Sequence, residues 1–143
     1  MTGTPVAPLP AADPNAAMAD AVCGRNRRLL DDFARAWQGR DIDAVMDCLS
    51  DDVIYDASVG PGPGRRFQGR DDVRQGIITM FAFDDAAVMQ VETLCVHDDF
   101  AVVLWRYASS ADAAAAPSVR GVDVMRFRND RIVLKDAFRK VQR

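Results

Sequence analysis

The chain has 143 residues, the length of one domain, and a formal net charge of −3. Its composition, 49% hydrophobic and 27% charged, is typical of a soluble globular protein, and the small negative charge does not favour nucleic acid as a partner. No apolar run approaches the roughly 20 residues that a membrane-spanning helix needs, so we expect a cytoplasmic protein that does not bind membranes. One histidine and three widely spaced cysteines form no metal-ligand pattern, and we expect no metal or other cofactor.

The N-terminal residues predict a flexible tail. Residues 1–20 contain four of the seven prolines and many alanines, without a periodic apolar pattern. Residues 21–143 are predicted to form a single domain.

Helices are predicted in the first half of the domain. Apolar residues recur at helical spacing between Arg25 and Gln38, and Asp41 can cap a second, short helix. After the short strand "DDVIYDA", the segment "SVGPGPGRRFQG" is predicted as a loop because of its glycines and prolines. Asp71 or Asp72 is predicted to cap a third helix that extends to Phe81.

The second half of the domain is predicted as strands. Residues 86–96, "AVVLWRYA" and the two halves of "GVDVMRFRNDRIVLKDAFRK" read as four strands in sequence, with turns at "HDDF" and Asn129-Asp130 and a connection at "SSADAAAAPS". His97 is expected at the surface of the first turn. The order of the elements predicts an α+β fold, with helices packed on one face of a curved, mainly antiparallel sheet.

Two aspartates fall on the apolar face of the last hairpin. If Asn129-Asp130 forms a two-residue turn, facing residues have numbers that add to 259, and Asp123 faces Asp136. The same parity places the hairpin's arginines and Lys135 on the outer face. Two opposed carboxylates in apolar surroundings repel each other, so we expect one protonated and one ionised partner, a pair suited to acid–base catalysis.

Two other arrangements of these aspartates remain open. The carboxylates can belong to a structural network with Arg106, which is expected among apolar neighbours. Alternatively, a one-residue bulge in the second strand turns Asp136 outward.

The sequence resembles the nuclear transport factor 2-like superfamily, in its SnoaL-like and ketosteroid isomerase-like branch. The segments that carry the resemblance are "FARAWQGRDIDAVMDCLSDDVIYDASVG", "FQGRDDVRQGI" and "GVDVMRFRNDRIVLKDAFRK". This resemblance implies a cone-shaped α+β barrel, in which three N-terminal helices close a strongly curved sheet around an apolar pocket. It also implies a homodimer, with Val122 and Val124 on the outer, interface side of the sheet.

The resemblance implies roles for two carboxylates. The "YDASVG" segment resembles the place of the general base in ketosteroid isomerases, which assigns that role to Asp56. The "GVDVMRFRN" segment resembles the strand that carries the protonated oxyanion-stabilising aspartate, which assigns that role to Asp123. The chain departs from the pattern at Phe33, where those isomerases have a tyrosine that donates to the oxyanion. Tyr55 or Tyr107 is the candidate replacement.

A second comparison is with limonene-epoxide hydrolase. Tyr55, Arg106 and Asp136 fall near its catalytic tyrosine, arginine and one aspartate, but Ala108 stands where the partner aspartate is expected. Epoxide hydrolysis is therefore kept as an alternative activity.

We expect a small cofactor-free enzyme that acts on an apolar cyclic molecule by acid–base chemistry, of isomerase, cyclase or dehydratase type. The alternative is a non-catalytic module of the same fold that binds a ligand or dimerises. The candidate catalytic residues are Asp56, Asp123, Asp136, Tyr55 and Arg106. The candidate substrate-binding residues are Phe33, Trp37, Met80, Phe81, Met125 and Phe127.

Overall fold

The structure is a computed structural model that describes residues 13–84, 87–109 and 119–141. Helices and strands follow one another along these residues in the order α1 (Pro14–Gln38), α2 (Ile42–Asp47), β1 (Leu49–Asp56), β2 (Arg66–Gln68), α3 (Arg70–Phe83), β3 (Ala87–His97), β4 (Phe100–Ser109), β5 (Val119–Arg128) and β6 (Arg131–Val141). The fold is α+β, as predicted. The third helix follows a strand, as predicted, and a second short strand, β2, which was not predicted.

The first helix begins earlier than the sequence predicted. The Asp13 carboxylate accepts a hydrogen bond of 2.9 Å from the backbone N–H of Asn15, and Pro14 lies in the first turn, where a missing N–H needs no partner. Residues 14–20, predicted as tail, are therefore helical, and their exposure on all sides explains why they show no apolar stripe. Residues 1–12, the rest of that predicted tail, lie outside the described residues.

The segment predicted as one glycine-rich loop contains a strand. Arg66–Gln68 forms β2, which pairs with the end of β1 through the register Tyr55↔Phe67. Gly69 then precedes α3 with a φ of 80°, a conformation that suits glycine. Asp72, predicted as a possible cap, instead accepts a hydrogen bond from the backbone N–H of Gln68 at 2.9 Å.

The strands form one sheet in the order β2-β1-β6-β5-β4-β3. The pairing of β1 with β6 is parallel and the other described pairings are antiparallel, which confirms a mainly antiparallel sheet. The sequence predicted the meander of β3 to β6 but not that β1 would lie beside β6. Because β2 and β3 are the two edges of the order, the described strands form an open sheet and do not close into the expected barrel. The predicted connection at 110–118 lies outside the described residues.

The helices cover one face of the sheet, here called the inner face. Buried side chains of this face alternate along the strands, as in Val53 and Tyr55 on β1 or Val103 and Trp105 on β4. The buried Asn26 on α1 donates a 2.8 Å hydrogen bond to the carbonyl of Asp98, in the β3–β4 turn, and so ties α1 to that end of the sheet. His97, beside this turn, is exposed, as predicted.

A bulge in β6 overturns the predicted hairpin register. Near the turn, Phe127 faces Ile132, as predicted, but beyond a register shift Met125 faces Lys135. Val133 is the extra residue of β6, and one extra residue moves every later side chain to the opposite face. As a result, Asp123 faces Ala137 instead of Asp136.

The turn of this hairpin agrees with the sequence analysis. Asn129 and Asp130 have φ values of 51° and 58°, and two consecutive positive φ angles are typical of the tight turn that joins antiparallel strands. The hairpin prediction is therefore right at the turn and wrong beyond the bulge.

Within the described part of the chain, none of the helices combines the length and the apolar character that a membrane span requires.

Candidate active site

A buried ion pair lies at the centre of the inner face. The Lys135 Nζ atom is 3.0 Å from Oδ2 of Asp123, and each residue is only 5% exposed. Asp123 points inward by the same parity as Met125 and Phe127, which confirms the predicted orientation of this aspartate. Lys135 was predicted to point outward, and the bulge at Val133 reverses it. Asp123 therefore lies beside an ammonium group and not beside a second carboxylate, so the expected pair of opposed carboxylates is wrong.

The pair leaves one carboxylate oxygen free. Asp123 Oδ1 is buried and has no hydrogen-bond partner among the described residues. An unsatisfied buried carboxylate oxygen is costly, and such atoms are concentrated at sites that bind or react. Oδ1 is therefore the available acceptor at the centre of the domain.

Aromatic rings surround the Lys135 ammonium. Its Nζ lies 4.8 Å from the ring centroid of Trp37 and 5.0 Å from that of Tyr55, within the range of cation–π attraction. Tyr55 is the neighbour of Lys135 in the parallel register of β1 and β6. The rings replace part of the hydration that the ammonium loses on burial.

A second buried ion pair lies nearer the end of the sheet. Arg139 donates to both carboxylate oxygens of Asp84, at 2.8 and 2.7 Å, and its Nε donates to Ser58 Oγ at 3.2 Å. The guanidinium also lies 5.4 Å from the centroid of Tyr107 and 5.6 Å from that of Trp105. Arg139 was another residue predicted to face outward, and the same bulge turns it inward.

Two tyrosines offer hydroxyl groups to the interior. Burial raises the pKa of the Tyr55 phenol well above its usual value, and the nearby charge of Asp123 raises it further. Burial also raises the pKa of Tyr107 to about 12, with a further contribution from the charge of Asp84. Both phenols therefore keep their protons at ordinary pH and can donate hydrogen bonds.

The space around these groups is small and divided. Among the described residues, three cavities of about 10 Å³ each, room for roughly one water molecule, have Trp37 and Met89 in common. Asp123 lines two of these cavities, and Lys135 lines one of them together with Tyr55. The Trp37 and Met89 side chains thus separate spaces that would otherwise meet beside the ion pair.

Most of the predicted substrate-binding residues line these cavities. Phe33, Trp37 and Met125 border the cavity on one side of Asp123, and Met80 borders the cavity beside Lys135. Phe81 borders the third cavity. The exception is Phe127, which is buried but lines none of the three.

Asp56 and Asp136 lie on the opposite, outer face. They are neighbours in the β1–β6 register, and Arg66 binds both oxygens of Asp56 at 2.7 Å. Burial raises the pKa of the Asp136 carboxyl, and the charge of Asp56 raises it further. The prediction that Asp136 faces Asp123 is wrong because of the bulge. The expectation that Asp56 reaches the same pocket is wrong because the last residues of β1 alternate, and Tyr55 takes the inner face instead.

Arg106 also lies on the outer face. Its nearest acidic partner is Glu92, with the Arg106 Nε atom 3.9 Å from Oε1, so the expected pairing with Asp123 or Asp136 is wrong. Of the trio compared with the epoxide hydrolase, Tyr55 points inward while Arg106 and Asp136 point outward. These three side chains therefore do not converge on one site.

The sequence carried a signal for the bulge. Ile132, Val133 and Leu134 form an apolar run that interrupts the alternation of β6, so either of two phases fits the residues that follow. An alternation that restarts after this apolar run, with Lys135 on the inner face, would have placed both Lys135 and Arg139 inside. Asp84, the partner of Arg139, comes from the end of α3 and could not be paired from sequence alone.

The acidic residues of the interior are occupied by basic partners. Among the described residues, no group of three or more histidine, cysteine, aspartate or glutamate side chains is arranged to hold a metal ion. The arrangement of Asp123, Lys135 and Tyr55 instead combines a base with two hydrogen-bond donors in apolar surroundings. Such a set can accept a proton from carbon and stabilise the negative oxygen that results.

Comparison with known proteins identifies the family. The SnoaL-like domain matches residues 30–135. No curated protein matches the chain.

Solved structures with the same fold include proteins of several descriptions. An NTF2-like protein of unknown function from Mesorhizobium loti is 24% identical, with a TM-score of 0.68 over 82% of this chain and 93% of that one. A proposed ketosteroid isomerase from Kribbella flavida is 18% identical, with a TM-score of 0.66 over 88% and 84% of the two chains. A proposed polyketide cyclase from Sinorhizobium meliloti is 14% identical, with a TM-score of 0.63 over 77% and 93%. At these identities the likeness concerns the fold, and the match over residues 30–135 shows that the chain belongs to the SnoaL-like domain family.

Proposed function

We propose that this protein is a cofactor-free acid–base enzyme of isomerase or cyclase type, which moves a proton at the carbon beside the carbonyl group of an apolar cyclic molecule. The observation that carries this proposal is the buried Oδ1 of Asp123, which has no hydrogen-bond partner in the described part of the chain while Oδ2 is bound by Lys135. The family membership and the descriptions of the structural relatives support the same reaction class.

Asp123 is the base in this proposal. Lys135 binds one oxygen of the Asp123 side chain, and the other oxygen is buried without a hydrogen-bond partner among the described residues, so it is available to accept a proton. A positioned general base typically accelerates a reaction by about 10²- to 10⁴-fold. Asp123 thus takes the role that the sequence resemblance gave to Asp56.

Lys135 and Tyr55 are the donors for the carbonyl oxygen. The ammonium and the phenol line the same cavity as Asp123, and the raised pKa of Tyr55 keeps its proton in place. Removal of the α proton places negative charge on the carbonyl oxygen, and donors fixed in a dry site stabilise that charge without reorganising. Tyr55 supplies the hydroxyl that is missing at Phe33.

A ligand-binding role without catalysis is the second candidate. The observation that favours it is the small size of the cavities, about 10 Å³ each, which admit a ring only if Met89 or Trp37 moves. In that case the Asp123–Lys135 pair serves structure and ligand orientation.

The test follows hydrogen exchange at carbon. The protein is incubated in heavy water with simple cyclic ketones, and proton NMR follows the loss of the α-hydrogen signals. We expect the wild type to accelerate exchange and the Asp123→Asn variant to lose the acceleration, while ketone binding, measured separately by ligand-observed NMR, persists. Binding without exchange in the wild type supports the non-catalytic candidate instead.

We also propose that two copies of the chain associate through the outer face. Phe138 is 52% exposed and lines a groove with Leu104 and Val122. On the same face, Arg120 pairs with Glu92 at 2.8 Å, and a face with both charges can complement itself across a two-fold axis.

A further inference from the structure

We propose that Lys135 is a nucleophile that forms an imine with the carbonyl carbon of a ketone or aldehyde bound beside Asp123. This inference rests on the proposed function only in bringing a carbonyl compound to the Asp123–Lys135 pair. The proposed function needs only proton transfer, whereas the inference adds a covalent intermediate. Covalent bonding to an amine would extend the chemistry of the site to making or breaking carbon–carbon bonds next to the carbonyl.

The choice of lysine at this position is the first argument. The chain has 16 arginines and only two lysines, Lys135 and Lys140. The other buried ion pair uses Arg139, which binds both oxygens of Asp84. Arginine is the better residue for a permanent buried pair, because its planar group binds a carboxylate twice and does not lose its proton. The lysine beside Asp123 provides what arginine lacks, an amine that can lose its proton and attack a carbonyl carbon.

The surroundings of Lys135 are the second argument. The side chain is 5% exposed, lies over the rings of Trp37 and Tyr55, and borders a cavity of about 10 Å³ that Asp123 also lines. Burial among apolar groups is one of the ways in which proteins activate a lysine for imine formation. Exclusion of bulk water also protects an imine from hydrolysis once it has formed.

The position of Asp123 is the third argument, because imine formation needs a group that accepts and returns protons. Oδ2 lies 3.0 Å from Nζ, close enough to take a proton from the ammonium directly. That transfer neutralises both partners and so separates no charge in the apolar site. Oδ1, which no described residue contacts by a hydrogen bond, can carry protons to and from the carbonyl oxygen.

The step balances with these two residues alone. The ammonium of Lys135 passes one proton to Asp123, and the neutral amine adds to the carbonyl carbon to give a carbinolamine. Asp123 returns its proton to the hydroxyl group, which leaves as water while the carbon–nitrogen double bond forms. The product is a protonated imine beside the Asp123 carboxylate, and one water molecule has been released. No oxidant or reductant is consumed.

Reductive trapping tests the inference within a single molecule. The full chain is incubated with cyclohexanone and sodium cyanoborohydride, and the reduced adduct on each lysine is measured by peptide mass spectrometry. The exposed Lys140 is an internal reference for ordinary amine reactivity. We expect at least roughly tenfold more adduct on Lys135 than on Lys140 early in the reaction, as for a lysine activated by its site. Equal or lower labelling of Lys135 overturns the inference.

Two variants sharpen the result. Lys140→Arg removes the reference amine and should leave labelling of Lys135 unchanged. Lys135→Arg keeps a positive charge beside Asp123 and should remove the excess adduct. If this variant does not fold, the ratio within the wild-type chain still decides the question.

The exchange assay separates this inference from the proposed function. Deuterium exchange without an adduct on Lys135 overturns the imine and leaves the acid–base enzyme standing. An adduct on Lys135 without exchange supports the imine and overturns the role of Asp123 as a base for carbon. Absence of both overturns both.

Discussion

The ammonium of Lys135 lies 3.0 Å from the carboxylate of Asp123 because β6 contains one residue more than a regular hairpin would hold. If Val133 were instead paired in a regular hairpin, Lys135 would point to the outer face and Asp136 to the inner face. The bulge thus determines which charges meet in the core, and each of the following predictions depends on that arrangement or on the space beside it.

Deletion of Val133 should be tolerated, because the shortened β6 can pair regularly with β5 and still place Lys135 opposite Met125. Lys135 then stays inward and keeps its partner Asp123. Deletion of Val124, in the regularly paired β5, is the matched control. It should turn Asp123 outward and leave Lys135 unpaired in the core, and loss of one partner of a buried pair typically costs about 3–5 kcal/mol. Urea denaturation followed by circular dichroism measures both changes; a Val133 deletion that costs as much as the Val124 deletion contradicts the assigned register.

The Asp123–Lys135 pair should show strong energetic coupling. Asp123→Asn and Lys135→Met should each destabilise the fold by about 3–5 kcal/mol, since each leaves a buried partner unsatisfied. The double variant should cost clearly less than the sum of the two. The exposed pair Arg126–Asp99, with N and O atoms 3.4 Å apart, is the control and should show little coupling in the same double-mutant cycle. Additive costs at Asp123 and Lys135 would show that the two side chains do not interact.

Asp136→Asn should stabilise the protein at neutral pH. Burial and the charge of Asp56 raise the pKa of Asp136 in the folded state, so the folded protein binds this proton more tightly than the unfolded chain. The favourable contribution is therefore complete below the unfolded pKa of about 3.9 and is lost as pH rises through the folded pKa.

The measurement for Asp136 is a pair of urea titrations of wild type and variant, one at neutral pH and one below pH ~3.9. The advantage of Asp136→Asn should be present at neutral pH and shrink in acid. A variant that is less stable than wild type at neutral pH would mean that Arg66 outweighs burial and the repulsion from Asp56.

Truncation of Met89 should improve binding of small cyclic ketones. Met89 borders each of the three cavities, so Met89→Ala joins the spaces on both sides of Asp123. The variant should lose about 2–5 kcal/mol of stability, as buried methionine truncations do, yet bind the ketone more tightly. Ligand-observed NMR measures the affinity. Ile132→Ala removes a buried side chain that borders none of these cavities and should lose stability without the gain; an equal gain in both would exclude a specific effect beside Asp123.

Substitution of Phe138 should change the oligomeric state. Phe138→Glu places a charge at the centre of the exposed apolar groove on the outer face. If two copies meet there, light scattering at a fixed concentration should detect a dimer in the wild type and a monomer in the variant. Lys140→Glu, at the rim, should have a smaller effect. A monomeric wild type contradicts the proposed association.

The sequence was sufficient for the fold class and for two of the three polar residues of the site, Asp123 and Tyr55, but not for Lys135. Alternation with Met125 and Phe127 placed Asp123 inside, and Asn129-Asp130 predicted the turn. The pattern failed beyond Val133 because three consecutive apolar residues are compatible with either strand phase, and the choice depends on packing against β1 and the helices. The inner position of Asp56 was predicted from the resemblance alone. Adjacent residues of a strand point to opposite faces, and Tyr55, the more apolar neighbour, occupies the inner face.

The most direct test of the account compares the two candidate bases, Asp123 and Asp56, in the deuterium exchange assay. Asp123 lies in the core beside Lys135, and Asp56 lies on the outer face, bound by Arg66. We predict that Asp123→Asn reduces the rate of α-hydrogen exchange of a cyclic ketone by about 10²-fold or more, while Asp56→Asn stays within a few fold of wild type. Loss of exchange in Asp56→Asn with full activity in Asp123→Asn would contradict the account and return the role of base to Asp56.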